Sequence, residues 1–197
     1  MDDELDLPWG TVPAVIVDLA RVMAKKAAAD ARRAEKIRWP EKPGDVQDEL
    51  RRAISAAHKT ARAATDLRAL LSAYAHKFHN PRPVISDLAR AQDTSSQGFI
   101  RRYSSGTVDA VASILSPQPD IETVLLAFPS ISLADLVDMG GALGEAAGAM
   151  RDSGTYDLQA LNSLRQKIAG GADVDDQARR TRDARARLKA PPAADDV

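Results

Sequence analysis

Apolar residues recur along most of this chain at three- and four-residue steps, and nowhere alternate with period two for long enough to make a strand. The first stripe is Val12, Val15, Ile16, Leu19, Val22, Met23, Ala27, Ala31, Ala34 and Ile37. It predicts a helix of about seven turns, capped by Thr11 with Pro13 in its first turn. Pro40, Pro43 and Gly44 stop it. Asp45 then reads as the cap of a second long helix reaching about Phe78. Its stripe is Leu50, Ile54, Ala57, Ala61, Ala64, Leu67, Leu71, Tyr74 and Phe78. Two long helices joined by a short Pro/Gly link predict an antiparallel hairpin. The small residues of the seam allow close approach, either within one chain or across a dimer.

Beyond Asn80-Pro81-Arg82-Pro83 the elements shorten. Val84, Leu88 and Ala89, with Ile85 beside them, form the inward face of a short helix. A polar corner follows at Asp93-Thr94, and a second short helix runs from the cap Ser95 to Tyr103. On this helix Phe99 and Tyr103 share one face. Gln97 and Arg101 fall about 160° from that face and about 40° from each other. This is the layout of a helix-turn-helix. Thr107 then reads as the cap of a helix carrying Val108, Val111, Ile114 and Leu115, ended by Pro117 and Pro119. Asp120 caps Ile121–Ala127, and Ser130 or Ser132 opens a helix through about Met150. In that helix Gly140, Gly144 and Gly148 predict a groove for close packing. Tyr156–Ile168 is a last amphipathic helix. The expected fold is all-α. A flexible acidic lead-in (1–10) precedes a long helical hairpin (11–79) and a helix-turn-helix region (80–116). A small helical bundle (117–170) and a charged, disordered tail (171–197) follow.

Composition sharpens this outline. The chain of 197 residues is 44% apolar, but much of that is alanine and only 4% is aromatic. Such a core is thin for its length, so oligomerisation, with a homodimer as the simplest case, is a natural supplement. The absence of cysteine excludes disulfides, thiolate catalysis and cysteine-ligated zinc. With no signal peptide and no long charge-free apolar run, the expectation is a cytoplasmic protein without a membrane segment. The Ala/Arg/Asp-rich usage fits a high-GC bacterium or one of its phages or plasmids. A formal net charge of −1 says nothing for nucleic acid, but its distribution does. Residues 67–103 hold six bases and two acids, whereas residues 104–157 hold eight acids and Arg151 alone. The motif lies in a basic segment.

Leu88, Ala89, the corner, Ser95-Ser96-Gln97 and Phe99 together resemble bacterial helix-turn-helix DNA-binding regulators over about 20 residues. The resemblance implies that Ser95, Ser96, Gln97 and Arg101 face double-stranded DNA. Gln97 suits a bidentate pair with adenine and Arg101 one with guanine. Arg82, Arg90 and Arg102 are placed to meet phosphates, which position a protein without specifying sequence. The pattern departs from the family at two places: Asp93 stands where glycine is usual, and Arg102 where an aliphatic residue is usual. An aspartate there must take a left-handed backbone.

Other chemistry finds little footing. His76 and His79, three apart, lack a carboxylate at metal-ligand spacing, so no metal is expected. There is no phosphate-binding loop and no Gly-x-Ser-x-Gly elbow, and His58 has no nucleophile beside it, so neither an enzyme nor a cofactor is expected. The arginines of the tail, Arg179 to Arg187, are interspersed with aspartates and read as a solvated helix. The leading expectation is a sequence-specific DNA-binding protein, a transcriptional regulator or a plasmid- or phage-type DNA-organising factor. The alternative is an antitoxin-like or adaptor module whose helices over 121–168 bind a protein partner.

Overall fold

The computed structural model describes residues 11–37, 43–154 and 156–169, all helix, turn or connection with no strand among them. The helices are α1 (Ala14–Glu35), α2 (Pro43–Lys77), α3 (Ile85–Arg90), α4 (Ser96–Ile100), α5 (Ser105–Ile114), α6 (Ile121–Ala127), α7 (Leu133–Val137), α8 (Gly141–Asp152) and α9 (Leu158–Ala169). None of them is long and apolar enough to cross a membrane. The acidic lead-in, the charged tail and Pro40 lie outside the described residues.

α1 and α2 pack on each other. The helix start predicted at Thr11 falls slightly later. Pro13 is the cap, and its carbonyl accepts from the Ile16 and Val17 amides. α2 begins at Pro43, so Asp45 lies inside its first turn; proline suits that position because its missing N–H would have had no partner. Ile16, Leu19 and Met23 of α1 are fully buried, as the first stripe predicts. Most of the second stripe is on the wrong side, Tyr74 being its one buried member. α2 buries Ala56, Ala63, Leu70 and Ala73, whereas Leu50, Ile54 and Leu71 are 45%, 67% and 44% exposed. At 100° per residue the two sets lie about 150° apart around the helix. The bulkier residues drew the pattern in the sequence, but the alanines take the inner face because they let α1 come close. Asp66, also buried, accepts from the Ser130 amide at 2.8 Å and ties α2 to the α6–α7 connection.

The later helices form a second layer of contacts, α5 with α2 and α6, and α8 with α6 and α7. Their caps are local and strong. Ser104, rather than Thr107, caps α5, and Thr107 sits at N3 and completes a reciprocal capping box. Asp120 accepts from the Glu122 and Thr123 amides. Ser132 and Asp135 form a second box on α7. The single helix predicted from Ser132 to Met150 is two, because Gly140 and Gly141 adopt φ of 70° and 60° and break it. Of the predicted glycine groove only Gly144 is a close approach, since a Cβ there would stand 3.2 Å from the Val137 carbonyl oxygen. Lys26 of α1 donates to Asp135 at 2.5 Å. Burial pushes the Asp135 carboxyl up, but its bonds from Lys26 and Ser132 outweigh this and hold its pKa below the ordinary value. The chain divides after Tyr156. Beyond it, Asp157 caps α9 by accepting from the Gln159 and Ala160 amides.

Candidate nucleic-acid interface

The segment from Pro83 to Tyr103 begins with α3, which buries Ala89 and half-buries Ile85 and Leu88. Val84, predicted to face inward, is instead the cap residue of α3 and is exposed. Past Arg90 the chain turns sharply. The Asp93 amide donates to the Arg90 carbonyl at 3.1 Å and the Thr94 amide to the Ala89 carbonyl at 3.0 Å. Those two bonds, with Asp93 at φ 48°, make a Schellman corner with aspartate in the left-handed position. Gln92 anchors it from inside, its Nε2 donating to the buried Ser72 Oγ of α2 at 2.9 Å. Nothing local in the sequence marks this bond. Ser72 is a single polar residue among apolar ones, and its partner lies 20 residues away.

Ser95 caps α4 by accepting from the Gly98 amide at 3.0 Å, which leaves its hydroxyl proton free to donate outward. Glycine at position 98 leaves room for the Thr94 hydroxyl, which a Cβ would meet at 2.2 Å. α4 is shorter than the span to Tyr103 read from the sequence. It has five residues and Arg101 as its C-cap, and Arg102 and Tyr103 already belong to the following turn. Phe99 is buried as the anchor. Its ring lies 6.4 Å from Tyr103 and 6.3 Å from His76, in edge-on contacts. His76 Nδ1 is hydrogen-bonded to the Tyr103 hydroxyl, so α4 and the turn after it are fastened to the end of α2. Burial, reinforced by the charges of Lys77 and Arg82, lowers the His76 pKa and favours the neutral imidazole. Burial also raises the Tyr103 pKa. His79 instead meets the Tyr74 hydroxyl at 3.2 Å, so the two histidines serve separate tyrosines.

Gln97 and Arg101 lie opposite the Phe99 anchor, and the polar side chains flanking them are also open to solvent. Ser95, Ser96, Gln97, Arg101 and Arg102 are all exposed and lie within one turn of α4. Arg101 and Arg102 have no ion pair among the described residues. Arg90 is exposed at the end of α3 and pairs with Asp87 at 3.2 Å. Arg82 is exposed in the link before α3, near enough to His76 for its charge to be felt. Ser86, Arg90, Asp93, Ser95 and Ser96 line a shallow depression at the corner, into which Asp93 brings a negative charge. Ile100 is exposed beside Gln97. Of the two adjacent apolar residues, packing places only Phe99 inside. No protein-family model, curated protein or solved structure matches this chain.

Proposed function

We propose that α3, the Asp93 corner and α4 are a helix-turn-helix through which the protein binds double-stranded DNA sequence-specifically. One observation carries this reading. A capped helix, fastened from behind by Phe99, Tyr103 and His76, offers Gln97 and unpaired Arg101 on its opposite side. α4 enters the major groove by its amino end, with Ser95 and Ser96 at the groove wall. Gln97 pairs with adenine and Arg101 with guanine, and Ile100 can touch a thymine methyl. Arg82, Arg90 and Arg102 meet phosphates on either side and set the register. A regulator or a plasmid- or phage-type DNA-organising factor is the role such a reader serves. A protein partner on the 121–168 helices is less favoured, because Ile121, Val124, Leu125, Phe128, Ile131, Leu136 and Leu143 are spent on internal packing.

Selection of duplexes from a random pool at low salt tests the proposal. Bound duplexes should share a motif, and Arg101→Ala should cost about 1–3 kcal/mol and relax one base position. Replacing Arg82, Arg90 or Arg102 with alanine should weaken all duplexes evenly and reduce the salt dependence by about one unit each. If no duplex is retained at low salt, the proposal fails.

A further inference from the structure

We infer that the outer seam of α2 is an antiparallel, two-fold pairing surface for a second copy of this chain. The seam follows a heptad spacing, Leu50, Ile54, Ala57, Ala61, Ala64, Arg68, Leu71 and Ala75, which extends over about 39 Å of helix. Arg68 is its one charge. Arg51, Arg52, Lys59 and Arg62 fall more than about 100° from its centre line. At one end Leu50 and Ile54 stand out into solvent. At the other, Ala64, Leu67 and Leu71 form one wall of an open groove of about 580 Å³ whose far side includes Leu88 and Ala91. Between knob and groove lie only alanines, Ala57, Ala61 and Ala64.

This order of large, small and hollow fits itself when reversed. A two-fold axis between Ala61 and Ala64 sets Ala61 against Ala64 of the second copy, where the two backbones come closest. It sets Ile54 against Leu71 of the second copy, in the groove, and Leu50 against Ala75. Ala57, the smallest knob, leaves space for the long Arg68 side chain, whose Nε is buried without a hydrogen-bond partner. Sliding one copy by a heptad one way would set Leu71 on Gln47 and Leu50 on Arg68, apolar against polar; the other way would set Arg68 on Ala64 beside the axis and carry Leu50 past the end of α2. Parallel pairing would set knob on knob and leave both grooves empty. One copy therefore supplies both halves of the fit, which makes the second copy the occupant.

The pairing is read without DNA, so its test is independent of the nucleic-acid reading. Sedimentation equilibrium of the full chain should give twice the 21.1 kDa chain mass. Ile54 is 67% exposed, so Ile54→Glu should keep the helical circular dichroism. It should weaken self-association about 100-fold, by burying an unpaired carboxylate in each copy. Because the natural chain has no cysteine, direction can be read by cross-linking. The double variant Ala61→Cys, Ala64→Cys should form an intermolecular disulfide on mild oxidation, and Leu50→Cys alone should not, its two copies lying far apart. A monomeric wild type, a dimer untouched by Ile54→Glu, or a self-linked Leu50→Cys would each overturn the inference.

Discussion

Asp93 bends the chain between α3 and α4, and it is the one non-glycine residue with positive φ among those described. A side chain in the left-handed region costs roughly 1–2 kcal/mol, less for aspartate than for most residues. Asp93→Gly should therefore raise the unfolding free energy by about 0.5–1 kcal/mol, and Asp93→Val should lower it by at least as much. Denaturant titration of both variants against wild type checks the sign. The requirement at this corner was legible in the sequence because it is local: a helix ends, two polar residues intervene, and a cap follows. Ser95 and Phe99 were legible for the same reason. Val84 was not, because hydrophobicity alone does not say which of two adjacent apolar residues, Val84 or Ile85, goes inside. The role of His76 was not legible either. Its ring packs on Phe99 and Tyr103, residues 23 and 27 positions further on, beyond any local pattern.

The docking of α4 on the end of α2 brings a pH dependence whose sign follows from His76. Burial, with Lys77 and Arg82 in support, lowers its pKa below that of an unfolded histidine. As pH falls through the ordinary histidine value, about 6.5, toward the lower folded value, the unfolded chain takes up the proton first. The contribution is therefore complete above that window and is lost on acidification through it. Thermal melts between pH 8 and 5 should show a decline that His76→Gln flattens. A decline that persists unchanged in the variant would assign it to other groups. At this scale the sequence told less. That α2 is one long helix was plain from its periodicity, but which of its two seams faces α1 was not. Alanine at 56 and 63 gives little hydropathy signal, and its value lies in the closeness it permits. The α7–α8 break was equally hidden, since helical periodicity runs through Gly140 and Gly141 and only their backbone angles reveal the interruption.

At the scale of the whole molecule, the helical class followed from periodicity, while the arrangement depended on contacts between distant positions. Asp66 with Ser130, Lys26 with Asp135 and Ser72 with Gln92 join positions 64, 109 and 20 residues apart. No window of sequence contains both members of any of these pairs, and each decides which helix faces which. The Ser72–Gln92 bond bears most directly on the proposed function. It fixes the corner at a set height on α2, and the Phe99–His76 contact fixes α4 slightly higher. Measured from the inferred alanine axis at 1.5 Å per residue, those heights are about 14 and 20 Å, so two copies paired as inferred would hold their proposed readers about 28–40 Å apart. One turn of B-form DNA, about 34–36 Å, falls inside that range. In such a pair α2 would be a ruler as well as a scaffold. The operator should be a palindrome with half-site centres about one turn apart, and inserting about half a turn between them should abolish binding of the pair while each half-site is still held weakly.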